Sequence, residues 1–205
     1  MLRKAEPIIK ARLDGDMIWA AVTLAVNAAL RPGEFLGDTA GRDRWIKPSW
    51  IHFFSDASCE VPFDPQAGAP PRAMTVRLAG GAKRDQAGSA PPLRLAWPPA
   101  VLAMHEWLQA RGRHESNIFT FRQGRALTKT ALFPILEDAL RQTHDGPCHV
   151  RGKSFRQGFA SGALEKGIDT PRILAHGRWK QAATMARYAS DRALAIRAAQ
   201  AAGSL

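Results

Sequence analysis

The sequence predicts an α+β fold that is mainly helical, and three observations carry this. The apolar run MIWAAVTLAVNAAL, residues 17–30, is too short to cross a bilayer and reads as a buried helix. Residues 98–111, PPAVLAMHEWLQAR, start on proline and put apolar side chains at 101, 102, 104, 107 and 108 on one helical stripe. Between these helices, residues 48–54, 73–79 and 92–96 read as short strands bounded by turn-forming residues.

Taken in order, residues 1–15 read as a charged lead-in, and Asp14-Gly-Asp16 is placed to cap the first long helix. That helix should end at Leu30-Arg31, where Pro32 forbids continuation and Gly33 loosens the turn. After the strand PSWIHFF, the Pro/Gly/Ala-rich residues 55–71 read as a loop insertion. The next two strands are joined by GGAKRDQAGSAP, a long polar hairpin whose tip carries Lys83, Arg84 and Asp85. On the helix 98–111, His105 and Trp107 read as packing residues. An extended piece, NIFTF, then leads to RALTKTALFPILEDALRQTH, an amphipathic helix expected to kink or restart at Pro134. Arg122, Arg125 and Lys129 near its start either contact phosphates or form a solvated face.

The C-terminal quarter is denser in chemistry. FRQGFASGALEKG reads as a helix with Arg156 in its first turn and Gly158, Ala160 and Gly162 permitting close packing. Its N-terminus would offer a phosphate unpaired backbone N–H groups and the positive end of a dipole. Asp169 or Thr170 caps the next helix, TPRILAHG, with Pro171 in the first turn. This spacing fits a helix-turn-helix or simply two packed helices. QAATMARYAS sets Tyr188 late on a short helix or just beyond it, and SDRALAIRAAQ opens with a Ser-Asp cap as a last basic amphipathic helix.

A chain of 205 residues can bury one good core or two small ones. Its net charge of +11 points to a polyanionic partner, DNA or RNA ahead of an acidic membrane. The basic residues are spread along the chain, which favours a folded basic groove over a disordered arm. Cys59 and Cys148 make neither a disulfide framework nor a metal-ligand spacing. No metal and no cofactor are expected. The charged start lacks the apolar core of a signal peptide, and an intracellular, reducing setting fits best.

Tyr188 is the only tyrosine beside nine phenylalanines and six tryptophans. It closes a segment, residues 153–188, that also carries lysine, arginine, histidine and indole. Such a set can attack a phosphodiester. A phenol is a weak nucleophile until it loses its proton, and cationic neighbours both favour the phenolate and neutralise charge building on phosphoryl oxygens. Guanidinium suits this, because it stays charged and offers a planar fork of donors to two oxygens.

K-S-F-R-Q-G-F-A, L-E-K-G-I-D, G-R-W-K and M-A-R-Y together resemble the C-terminal catalytic core of the tyrosine recombinase (phage integrase) family. Trp179 stands nine residues before Tyr188, the family spacing. L-R-P-G-E supplies the earlier arginine, Arg31, with a carboxylate, Glu34, three residues on. G-A-K-R-D is similar to the family's hairpin lysine, which would be Lys83. The resemblance covers residues 15 to 200 and rests on the order of four motifs that are each weak alone. It implies a helical catalytic core with a small antiparallel three-stranded sheet on one edge.

The resemblance further implies that Tyr188 attacks double-stranded DNA, giving a 3′-phosphotyrosyl link and a free 5′-hydroxyl, so that strands rejoin without ATP or metal. Arg31 and Arg156 would clamp the phosphate, Lys83 would protonate the leaving oxygen, and Trp179 would donate its indole N–H or pack on the tyrosine helix. Glu34 would support the first arginine. Lys153 stands where a histidine is usual and would act as base, as third phosphate donor, or as a mark of weakened activity. A shifted alignment would make His176 the ring donor, although the nine-residue spacing favours Trp179. Arg84, Arg122, Arg125, Lys129, Arg178 and Lys180 are the expected DNA-contacting cations. The family implies a homo-oligomer, a tetramer on DNA, with the terminal helix often packed on a neighbouring protomer. It also implies an N-terminal core-binding domain, which is expected to be missing here because nothing before residue 15 could supply it. Two alternatives stay open: a DNA-binding protein that keeps the fold with impaired catalysis, and a type IB topoisomerase-like relaxing enzyme.

Overall fold

The structure, a computed structural model, describes residues 2–37, 45–78, 91–112 and 116–202. The chain divides into two compact units, one built from residues 1–24 and 32–151 and the other from residues 25–31 and 152–205. The fold is mainly helical with one small sheet, as the sequence predicts. Among the described residues no helix is long and apolar enough to cross a membrane.

The first unit opens with a helix, α1 (Leu2–Lys10), where a lead-in was expected. Ala5 and Ile9, one helical turn apart, are both fully buried, and that stripe seats α1 on a later helix, α5 (Lys129–Arg141). Arg12 pairs with Asp138 of α5 beside it. Helix α2 (Gly15–Asn27) follows, but Asp14 does not cap it as expected. Asp14 adopts a left-handed φ of 59° and turns its carboxylate to the backbone N–H of Arg122, 3.3 Å away. A short helix α3 (Pro32–Phe35) and a 3-10 turn at Pro48–Trp50 precede the sheet.

Strands β1 (Ile51–Phe54), β2 (Ala73–Val76) and β3 (Leu93–Leu95) form an antiparallel meander. The register pairs Phe53 with Met74 and Met74 with Leu95 across the sheet, and all three are buried. Each strand is shorter than its sequence prediction, the first losing its start to the proline-led 3-10 turn. Helix α4 (Pro98–Arg111) matches its predicted bounds. Helix α5 does not start afresh at Pro134. It begins at Lys129, capped by the Thr128 hydroxyl accepting from the Ala131 N–H at 3.3 Å, and runs unbroken through Pro134. A proline inside a helix costs about 3 kcal/mol. Burial of Leu132, Phe133, Leu136 and Ala139 along one face offsets it.

The second unit collects the end of α2 with helices α6 (Ser154–Glu165), α7 (Thr170–Gly177), α8 (Ala182–Ala186) and α9 (Asp191–Ala202). Its core is Ala29, Ala160, Ala163, Leu164, Ile173, Trp179, Met185 and Ala193, with Phe159 and Tyr188 packed against it. Ser190 caps α9 as expected, its hydroxyl accepting from the Ala193 N–H at 3.2 Å, and α9 lies on α6 of its own chain. Asp169 stands at the N-cap of α7, but its carboxylate pairs with Arg172 at 3.4 Å instead of bonding the helix N–H groups. Gly158 and Gly162 were expected to permit close packing. A Cβ on Gly162 would meet open space and one on Gly158 only an ordinary contact with Val26, so of the three small residues Ala160 alone lies in the core.

Helix α2 stops at Asn27, before the predicted Leu30-Arg31, and not because of Pro32. Ala29 takes a left-handed φ of 49°, its N–H donates to Val26 O at 3.2 Å, and the Leu30 N–H donates to Ala25 O at 2.8 Å. This is a Schellman turn with alanine where glycine is usual. α6 ends the same way on Gly167, and α7 on Arg178.

Candidate active site

The second unit is built around a buried cation. Arg156, in the first turn of α6, is 1% exposed. Its Nη1 donates to Ala29 O at 3.0 Å and its Nη2 to Gly177 O at 2.7 Å. These carbonyls sit at the C-terminal ends of α2 and α7, where the helix dipoles concentrate negative partial charge. The guanidinium carbon also lies 4.5 Å from the Trp179 ring centroid and 5.5 Å from that of Tyr188. A desolvated guanidinium on an aromatic face is worth about 2 kcal/mol. Guanidinium, indole and phenol thus form one three-way cluster, with the two rings 5.5 Å apart and tilted by 43°.

Trp179 is 7% exposed, and its Nε1 is buried without a hydrogen-bond partner among the described residues. An unsatisfied buried donor costs roughly 1–3 kcal/mol, so an acceptor brought to it gains that much. The indole lies over the Gly177 backbone so closely that a Cβ there would fall 1.9 Å from a ring carbon. Only glycine fits. Tyr188 lies just beyond α8, its N–H donating to Met185 O at 2.8 Å, and its ring is half-buried.

His176 is in the same unit but outside that cluster. Its Nε2 is 2.6 Å from Asn27 O, and since a carbonyl can only accept, Nε2 carries a proton. The ring stacks on Phe159 at 4.8 Å, and Phe159 continues to Trp179 at 6.2 Å. Burial holds the His176 pKa below its ordinary value; the hydrogen bond to Asn27 opposes this, and the positive charge of Arg178 adds to it. Phe159 was not singled out from the sequence. The available signal was its place three residues after Arg156, which puts both on one helical face.

The remaining expected residues are dispersed. Arg31 is exposed and follows the Schellman turn of α2, two residues after the carbonyl that holds Arg156. Lys153, exposed, stands at the N-cap of α6 and makes no capping bond through its own side chain. Arg178 is half-buried and directs Nη2 to Ala29 O at 3.4 Å, while Lys180 is exposed. Glu34, 7% exposed, belongs to the first unit. So do Arg122, Arg125 and Lys129, all exposed, which approach the distant Asp14 and the neighbouring Gln123 and Phe133 ring in turn. Lys83, Arg84 and Asp85 lie outside the described residues. Among the described residues no cluster of three or more His, Cys, Asp or Glu side chains is arranged to hold a metal ion.

No protein-family model and no curated protein matches this sequence. Solved structures do. The chain is similar to the XerA recombinase, with a TM-score of 0.61, 17% identity, and 97% of this chain covering 63% of that one. It is similar to the Tn1549 transposon integrase in complex with circular intermediate DNA, with a TM-score of 0.60, 10% identity, and coverage of 92% and 60%. It is similar to the XerH site-specific recombinase bound to palindromic difH substrate in a post-cleavage complex, with a TM-score of 0.60, 16% identity, and coverage of 91% and 47%. The chain therefore spans between about half and three-fifths of the length of these proteins. The architecture is that of DNA recombinases and integrases. Within that class it is the tyrosine recombinase catalytic-domain fold, a helical body with a small three-stranded antiparallel sheet.

Proposed function

We propose that this chain is the DNA breaking and rejoining part of a tyrosine recombinase, acting on intracellular double-stranded DNA. The observation that carries this reading is the cluster of Arg156 with Trp179 and the only tyrosine in the protein. Tyr188 Oη attacks the phosphorus, the bond from phosphorus to the 5′-oxygen breaks, and a 3′-phosphotyrosyl ester holds the strand until a 5′-hydroxyl reverses the step. Arg31 and Arg156 stabilise charge on the non-bridging oxygens, each contributing about 2–4 kcal/mol. The unpartnered indole N–H of Trp179 supplies a further donor to the phosphate. Lys83 protonates the leaving oxygen, and Lys153 at the start of α6 adds a positive charge at the phosphate. Exposed Lys180 contacts the DNA backbone, and protomers assemble on paired sites.

One observation favours a second reading, a recombinase-like DNA-binding protein with impaired catalysis. Both terminal nitrogens of Arg156 already donate to backbone carbonyls, so clamping a phosphate requires sharing or exchanging those bonds. A nicked suicide substrate separates the two. Covalent protein–DNA adduct forming in EDTA supports catalysis, whereas salt-dependent binding without adduct supports the second reading.

A further inference from the structure

We propose that Arg178 is a positioning residue for the two phosphate-clamping arginines, and not a contact to DNA; this rests on the catalytic reading above. Three observations converge on it. Arg178 occupies the left-handed position that ends α7, with φ 56° and ψ 40°. Glycine takes the equivalent place at the end of α6, with φ 72° at Gly167. A bulky side chain is strained there. The backbone favours glycine there, but Ala29 ends α2 in the same conformation, so the role of the arginine is read from its guanidinium.

Its guanidinium answers that. Nη2 donates to Ala29 O at 3.4 Å, the long end of hydrogen-bond range, and that oxygen also receives Arg156 Nη1 at 3.0 Å. The last turn of α7 thus reaches back to the end of α2 at two carbonyls, with His176 on Asn27 O and Arg178 on Ala29 O. Ala29 is itself left-handed, with φ 49°, and Arg31 leaves the turn two residues later. A second donor on Ala29 O fixes the acceptor that aims Arg156 and the turn that aims Arg31. It also lets Arg156 release that carbonyl to a phosphate without leaving it bare, since Arg178 keeps it bonded. Misplacing such groups by an ångström can slow a reaction ~100-fold.

The test is Arg178→Gly, the substitution the backbone favours. The expected result is a thermal midpoint that does not fall, DNA affinity and its salt dependence unchanged, and adduct formation at saturating DNA slowed by ~10- to 100-fold. Weaker DNA binding, with a salt slope reduced by about one, would make Arg178 a phosphate contact and overturn the proposal. A lower midpoint with a matching loss of rate would make it a purely structural residue and overturn it too. Unchanged rate would do the same. A wild-type chain that forms no adduct sinks the catalytic reading instead. In that case the indole N–H resonance of Trp179, identified by its loss in Trp179→Phe, decides: Arg178→Gly should shift it, and an unmoved resonance would end the proposal.

Discussion

The guanidinium of Arg156 stands 5.5 Å from the ring centroid of Tyr188, while its two terminal nitrogens are held by the ends of two different helices. One side chain therefore ties the candidate nucleophile to the junction of α2, α6 and α7. Structure and chemistry share this residue, so substitutions must be chosen to part them.

Arg156→Ala removes the charge, takes the side-chain donor from Gly177 O at about 1–3 kcal/mol, and leaves Ala29 O only the longer bond from Arg178. Arg156→Lys keeps the charge, but an ammonium lacks the planar fork that spans Ala29 O and Gly177 O. Urea unfolding should rank stability as wild type, then Arg156→Lys, then Arg156→Ala. Adduct formation should fall by ~100-fold or more in both variants. A lysine variant as active as wild type would show that bidentate geometry is not needed here.

Gly177→Ala places a Cβ 1.9 Å from the Trp179 ring. The indole is buried and cannot swing aside freely, so the substitution should destabilise by ~1–3 kcal/mol. In a Trp179→Ala background that penalty should vanish, since the clash has gone. A Gly177→Ala penalty equal in both backgrounds would place its cause elsewhere in the turn.

Much of this was readable beforehand, and the failures have physical reasons. Helix α4 matched to the residue because its stripe is long and Pro98 sets its start. The end of α2 was misplaced, because Pro32 is a visible breaker whereas Ala29 in a left-handed turn has no signature in residue type. The restart expected as one outcome at Pro134 does not occur, since tertiary burial holds the proline inside the helix. At the site, motif order singled out Arg156, Trp179 and Tyr188, and these meet in space. That both terminal nitrogens of Arg156 serve carbonyls was not legible, since carbonyl partners leave no trace in a sequence. Phe159 had a signal, its place three residues after Arg156, but its bridging of His176 and Trp179 depends on the packing of α7.

Stability should depend on His176 at mildly acidic pH. Burial, aided by Arg178 and opposed by the bond to Asn27, holds its folded-state pKa below the ordinary value. The unfolded chain then takes up the proton first. The stabilising contribution is complete above the unfolded pKa, near 6.5, and is lost as pH falls through the folded value. Urea midpoints measured at neutral and mildly acidic pH should drop more for wild type than for His176→Gln, which keeps a donor for Asn27 O but does not titrate. Equal drops would show that other groups carry the acid sensitivity.

The central claim is that Tyr188 is the nucleophile, and one measurement reaches it directly. The full chain is incubated with nicked duplex DNA in EDTA, the trapped complex is digested with trypsin and nuclease, and the nucleotide-bearing peptide is sequenced by mass spectrometry. The expected result is a nucleotide on the peptide YASDR, residues 188–192, with no adduct from Tyr188→Phe. A nucleotide on any other peptide, an adduct that survives Tyr188→Phe, or no adduct at all would contradict the account.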